Sequence, residues 1–581
     1  MTLSSPLAPL RQRLSSLRQR LVGAPRWLAP AGLLALALML FLPGFARLPV
    51  TDRDEARFVQ ASRQMVESGD WVDIRFGDEP RLKKPAGIYW LQSAAALAST
   101  KGAEAPLWAH RLPSLFGALA SVWLTLRIGT TLFGGAAMEG ISAPGISAAG
   151  ARRAALWGAA FLALTLVLGA EARLAKTDAV LLATVLAAQS VLARLWCGAA
   201  PGHDTAPGRG AAYLFWGALA LGVLVKGPIG LAVVALTVLA LSASARSLRW
   251  LGPLAVPGAL ALALALAAPW FTAITLRGGM AFWQGSVGVD LLPKMAAGQE
   301  GKGAPPGSYL LLLWLTFWPA AVALVLALPG LWRARTTRPV QFLAAWVVPF
   351  WILLEAVPTK LVHYPLPLYP ALALAAAAFA PTGLARGGPL LRASAGLAFL
   401  PGLALGALLL YFAVLTHAPN AAMAPLVLGL ALATLSALWG MGALARRRGR
   451  RLFFSLMLCG LALWGGVFAA LPGLDALWPG HRAVAQAQAA ATAEGCAAPR
   501  LIGWGFIEPS LMWLGGRQTA LIPASGALPE GFAGAPCTYL IRAAKAPPAP
   551  EPCRLLGHFE GFALGAGRWV ALDLHSCGAR P

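Results

Sequence analysis

Charge is what this sequence has least of. Only 12% of its 581 residues are Asp, Glu, Lys or Arg, where a soluble protein carries about 25%. With 58% hydrophobic residues and a mean hydropathy of +0.66, that scarcity excludes an ordinary soluble globular chain. Acid is scarcer than base: 23 Asp and Glu stand against 47 Lys and Arg. The resulting +24 does not point to nucleic acid, because the bases cluster in short segments between apolar runs. An internal repeat is also missing at the level of pattern, which disfavours a transporter built from repeated halves. The first apolar run, 28–45, is long and lacks a small-x-small exit, so it is expected to be a retained anchor rather than a cleaved leader. Cysteines number six, and four of them (Cys496, Cys537, Cys553, Cys577) fall near the C-terminus.

What is present is a series of apolar runs, most near the ~20 residues that cross hydrocarbon as a helix. The bases mark one side. RQRLSSLRQR in the N-terminal arm (1–27), Arg152-Arg153, the stretch 246–249, WRARTTR and RRRGRR at 446–451 follow the positive-inside pattern. Fixing the N-terminus in the cytoplasm gives thirteen expected spans: 28–45, 108–133, 153–171, 178–197, 211–225, 227–244, 251–274, 308–332, 340–356, 365–382, 393–415, 424–445 and 452–471. Loops at 134–152, 198–210, 245–250, 333–339, 383–392 and 446–451 carry Arg and almost no acid. Counting 85–99 as a span would break that alternation, so it reads as an interfacial helix. The expected organisation is a transmembrane domain over 28–471, with a first external loop at 47–107 holding two amphipathic helices (54–68 and 85–99). A small α+β domain over 472–581 follows on the same side. LIGWGF, TYLIR and RWVALDL are its strand-like stretches. Its four cysteines permit two disulfides in any of three pairings, and at least one is expected in an oxidising compartment. Cys197 and Cys459 read as packing residues.

The acids sit in the alternate loops. Eight of the 23 lie between Asp52 and Glu79. Asp54 and Arg57 share a face of the first expected helix, and Phe58, Ala61, Met65 and Val66 form an apolar stripe on it. Alone, this loop is equally consistent with a solvated helix bearing one surface ion pair. Lys83-Lys84-Pro85 opens the second helix at headgroup depth, where a lysine either snorkels or holds a phosphate. EARLAKTD brings Glu171, Arg173, Lys176 and Asp178 to the same membrane face, a place where ionisable groups are costly to keep without a task. VKGPIG puts Lys226 at another external junction, and PTKLVHYPLPLYP adds Lys360, His363 and Tyr364. Four external junctions thus carry both carboxylates and cations, the combination needed to hold an anionic lipid headgroup and activate a second substrate.

DEARFVQASRQMVESGDWV, EPRLKKPAGIYW, EARLAKTD, VKGP and KLVHYPLPLYP, in this order, resemble the GT-C glycosyltransferases. The narrower resemblance is to glycosyltransferase family 39, with its ArnT-like branch and protein O-mannosyltransferases. It implies a polytopic helical membrane fold with about 13 transmembrane helices and a periplasmic C-terminal domain, in the bacterial inner membrane. It also implies inverting transfer of a sugar, aminoarabinose or another aminosugar or hexose, from undecaprenyl phosphate to a periplasmic acceptor such as lipid A. By resemblance, Asp54 orients or deprotonates the acceptor, Glu55 supports it, and Asp178 is the second functional carboxylate. Arg57, Lys84 and Lys226 meet the lipid phosphate, while Lys360, His363 and Tyr364 line the cavity mouth. The resemblance breaks at Lys83, where the arabinose transferases typically have a Glu that can take part in a metal site. An ammonium cannot ligate a metal, so neither metal nor other cofactor is expected, and the sugar is left open. Transfer to a hydroxyl acceptor, or transport of a lipid-linked sugar, are the alternatives. Nucleic acid is not an expected partner.

Overall fold

A computed structural model describes residues 27–134, 148–198, 208–291, 293, 303–496 and 499–578. Nearly all of the N-terminal arm, and most of the basic loops at 134–152 and 198–210, lie outside them. The helices are α1 (Leu28–Phe41), α2 (Asp54–Ser68), α3 (Gly87–Ala98), α4 (Leu107–Phe133), α5 (Ala148–Ala163), α6 (Leu166–Glu171), α7 (Asp178–Gly198), α8 (Gly210–Lys226), α9 (Ile229–Ala245) and α10 (Pro257–Gly278). There follow α11 (Ser308–Thr316), α12 (Ala321–Arg333), α13 (Arg338–Ala356), α14 (Tyr369–Arg386), α15 (Pro389–Leu397), α16 (Leu400–Leu415), α17 (Asn420–Ala445), α18 (Gly449–Ala470), α19 (Pro479–Ala493) and α20 (Ser510–Gly515). The chain is a multi-pass membrane protein.

Each of the thirteen expected spans is helical over most of its length. Among the described residues, eight helices are long and apolar enough to cross a membrane, nine if α11 and α12 count as one bent span. Helices α1, α8 and α9 are apolar but shorter. Three expected spans are not continuous, one of them, 393–415, only through a turn at Ala398–Phe399 between α15 and α16. The run 153–171 divides into α5 and α6 at Thr165, whose backbone is extended. The run 308–332 turns by 120° between α11 and α12. Pro319 stands in that break, and a proline removes a helix donor and disfavours helical geometry in the residue before it.

The segment 47–107, expected as the first external loop, carries both expected helices. Asp54 and Glu55 occupy the first turn of α2, where acids complement the helix dipole, and Gly69 closes it with φ +68. Phe58, Ala61 and Met65 are buried, while Val66 is half-buried. The expected interfacial helix, α3, is more enclosed than a helix lying on a surface. Gly87, Ile88, Tyr89, Gln92, Ser93 and Ala96 are all buried. Polar pins join it to α2: Ser62 Oγ donates to Gln92 Oε1 at 2.8 Å, and Ser93 Oγ donates to the Ser62 carbonyl at 3.1 Å. At its start Gly87 lies against α8, and a Cβ there would stand 2.7 Å from the Leu224 carbonyl oxygen. Gly87→Ala is therefore expected to push α3 off α8 and lower the melting temperature of the purified protein. A variant that melts like wild type would contradict that packing account.

The C-terminal region builds one five-stranded sheet from β3 (Arg500–Trp504), β4 (Ala520–Ile522), β5 (Thr538–Ala543), β6 (Arg554–Ala563) and β7 (Arg568–Ser576), after a short hairpin β1 (Arg75–Phe76) and β2 (Glu79–Pro80) in the first loop. The order is β4-β3-β5-β7-β6. The first three strands run parallel and the last two pair antiparallel. The three strand-like stretches of the sequence became β3, β5 and β7. Cys496 is bonded to Cys537 and Cys553 to Cys577. Cys197 and Cys459 are free and buried.

Candidate active site

The site is assembled by three short connections that meet beside α2. Asp54 opens α2, the segment 172–177 joins α6 to α7, and the segment after α13 carries His363 and Tyr364. Glu171 accepts from Lys176 Nζ at 2.8 Å. Asp178, at the first turn of α7, pairs with Lys226 Nζ from the end of α8 at 2.5 Å. The His363 ring stands between these pairs, with Nδ1 at 3.8 Å from Glu171 and Nε2 at 3.7 Å from Asp178. Its edge meets the Tyr364 ring at 5.2 Å between centroids, and Lys226 Nζ lies 5.8 Å from the Tyr364 centroid.

Electrostatics sort the charged states. Burial alone would raise Asp54, but Lys176, His363, Arg81 and Arg57 outweigh it and hold its carboxyl at about 2. Burial alone would lower Lys176, but Glu171, Asp178 and Asp54 hold it well above the usual lysine range. Burial pushes His363 down to about 3, with Lys176 and Lys226 reinforcing it against the two carboxylates. At neutral pH, then, Asp54 is anionic, Lys176 is cationic and His363 is a neutral imidazole. With His363 neutral, the charge that keeps Asp54 ionised comes from Lys176 and the two arginines. Arg81 is itself fixed. Its Nε donates to Tyr89 Oη at 2.8 Å and its guanidinium lies 5.3 Å from the Phe58 ring centroid.

The structure brings together Asp54, Arg57, Asp178, Lys226 and His363, with Tyr364 at the edge. Lys84 is half-buried in the same loop as Arg81, and Lys83 is exposed. Three expectations change. Glu55 faces away from Asp54's cations. It is fully buried and bidentate with Arg111 of α4, at 2.8 and 3.2 Å, and also accepts from Thr51 N at 2.8 Å and Ala175 N at 2.9 Å. It anchors the start of α2 to α4 and to the segment before α7. Lys360 is engaged by the backbone at a helix end. Its Nζ donates to the carbonyls of Leu354, Glu355 and Val357, closing the C-terminal end of α13, where cations suit the helix dipole. Lys226 does not stand alone as a phosphate cation, because Asp178 neutralises it. Conversely, Glu171, Lys176 and Arg81 belong to the cluster. The density of charge in EARLAKTD was the signal for the first two. Arg81 lies three residues before Lys84 and was legible only as part of that basic run. Among the described residues, no group of three His, Cys, Asp or Glu side chains is arranged to hold a metal ion.

A second carboxyl pair lies just outside the cluster. Burial, and then Glu508, raise Asp52 to about 7, with Ser510 and Arg53 opposing. Because its folded pKa exceeds the unfolded value near 3.8, the folded protein loses stability as pH climbs from about 4 to 7. Asp52→Asn is expected to melt higher than wild type at pH 8, with the gap shrinking toward pH 4. An unchanged gap across that range would show that Asp52 is not held protonated.

No family model matches the sequence. Comparison with solved structures finds ArnT from Cupriavidus metallidurans bound to undecaprenyl phosphate, with a TM-score of 0.68 over 94% of this chain and 97% of that one, at 18% identity. Its apo state gives 0.63 over the same shares. The chain has the ArnT fold. Curated relatives agree with it. An undecaprenyl phosphate-α-4-amino-4-deoxy-L-arabinose arabinosyl transferase of Sodalis glossinidius is 31% identical over 366 residues, 61% of this chain and 59% of that protein. The Edwardsiella ictaluri enzyme of that name is 28% identical over 382 residues, 65% of this chain and 63% of its own length. The chain therefore spans about six-tenths of the curated relatives it matches. Within the ArnT fold, the helical membrane architecture expected from the motifs is in place, with the small sheet region after the last long helix.

Proposed function

We propose that this chain is an inverting glycosyltransferase that moves a sugar from undecaprenyl phosphate to lipid A, with the site and C-terminal domain facing the periplasm. The relatives' names supply the donor and aminoarabinose as the first sugar to test. The observation that carries the reading is an ionised Asp54 opposed by Lys176, Arg57 and Arg81 at the mouth of an ArnT-type bundle. A carboxylate held at about 2 is a poor base for an alcohol. It suits a reaction whose acceptor needs no deprotonation, where its charge stabilises the positive charge developing at the anomeric carbon. A lipid A phosphate is such an acceptor, already ionised, which favours it over a hydroxyl.

In this reading the acceptor oxygen attacks the anomeric carbon from the face opposite the leaving phosphate, inverting the centre. Arg57, Arg81 and Lys84 meet the negative charge that grows on undecaprenyl phosphate as the bond breaks. Asp178 and Lys226 hold one another and, with Glu171, frame neutral His363 and Tyr364 at the cavity edge. Mass spectrometry of lipids from a deletion strain and its complemented parent tests the proposal. The parent's lipid A is expected to carry one sugar that the deletion lacks. Identical lipid A in the two strains, with a glycan missing from a protein instead, would move the acceptor to a hydroxyl.

A further inference from the structure

Helix α20 belongs to the C-terminal sheet region, yet its tryptophan sits under the active site. Trp513 is only 8% exposed and shares a buried apolar cluster with Val50, Ala56, Val59 and Ala175. Ala56 is two residues beyond Asp54, and Ala175 immediately precedes Lys176. The indole thus packs at the junction of the two segments that carry the site's opposed charges. Three further contacts fix it. The Arg63 guanidinium lies 3.6 Å from its ring centroid, Arg63 Nη1 donates to its carbonyl at 2.9 Å, and His110 of α4 meets its edge at 5.4 Å between centroids. Arg63 is itself on α2, so the ring is clamped by the helix it supports. Cation–aromatic contacts strengthen when desolvated, and a large buried ring leaves a cavity that its neighbours fill only partly when it is removed.

We infer that Trp513 is a positioning residue for the transfer, setting the spacing between Asp54 and Lys176 from the C-terminal region. The inference rests on the transferase reading for its kinetic arm only. Docking of the C-terminal region does not depend on this ring alone, since Arg517 also reaches across to Asp78 in the first loop at 2.8 Å. That exposed pair provides the control.

The test compares Trp513→Ala, Trp513→Phe and Arg517→Ala in the purified full-length protein. Release of undecaprenyl phosphate and hydrogen exchange over residues 51–60 and 171–178 are followed together. Trp513→Ala is expected to lower kcat by roughly 10–100-fold, with KM for the donor near wild type and faster exchange in both segments. Trp513→Phe should restore most of kcat, and Arg517→Ala should match wild type. If the alanine variant does not accumulate, Trp513→Leu carries the same comparison. Wild-type kcat and exchange in the alanine variant would overturn the inference. So would equal losses in the alanine and phenylalanine variants, with kcat and KM worsening together, because that pattern means general destabilisation. A wild-type protein that releases no undecaprenyl phosphate counts against the transferase reading, and the exchange arm then decides on Trp513 alone.

Discussion

Asp54→Asn is expected to lower kcat on the order of 10²–10³-fold, with KM for the lipid-linked donor close to wild type. Asn keeps the shape of the carboxylate, removes its charge and puts an amide donor in place of one acceptor oxygen. That charge is what Lys176 and the two arginines hold in place at neutral pH. If it acts on charge that develops only as the glycosidic bond breaks, its loss falls on kcat and spares ground-state binding. Asp54→Glu keeps the charge but moves it by one methylene, and should fall between the two. Steady-state release of undecaprenyl phosphate at saturating donor measures both variants. An Asn variant that raises KM and leaves kcat intact would assign Asp54 to binding instead.

Arg111→Met is expected to cost about 3–5 kcal/mol of stability. The guanidinium and the Glu55 carboxylate are both 0% exposed. Arg111 also donates to the carbonyls of Phe45, Leu48 and Pro49. Removing it strands a buried anion and three carbonyls at the entry to α2, one residue from Asp54. Methionine fills the volume but offers no donor. The effect should appear as poor accumulation and a strongly lowered melting temperature in detergent. Pairing the change with Glu55→Gln should recover part of the loss, since the anion is then gone. If Arg111→Met melts like wild type, the pair does not anchor the loop. If the double variant is no better than the single, the stranded charge is not the cause.

Local signals in the sequence were strong enough to place α2, which spans Asp54–Ser68 as expected. They also sufficed for β3, β5 and β7, because β-branched and aromatic runs bounded by turns read plainly. Continuity of the spans was harder. Pro319 sits in an otherwise apolar run, and composition does not say whether a bundle tolerates or uses such a break. The site was partly legible because near-membrane charge is costly and therefore conspicuous. Partner choice was not. Glu55 and Arg111 are 56 residues apart, and nothing in either segment marks them as a pair. Lys360 looked like a site cation because a lysine just past a helix end reads alike whether it serves the helix or a ligand. Trp513 is 450 residues from Arg63, a separation that only the folded chain closes.

The central claim is that this chain couples loss of a sugar from undecaprenyl phosphate to its gain by lipid A through Asp54. The most direct measurement incubates the purified protein with undecaprenyl-phosphate aminoarabinose and lipid A, and quantifies both products by mass spectrometry. Wild type is predicted to form undecaprenyl phosphate and sugar-bearing lipid A in equal amounts, and Asp54→Asn to form almost none of either. Full turnover by the Asn variant, or undecaprenyl phosphate released with no sugar on lipid A, would contradict the account.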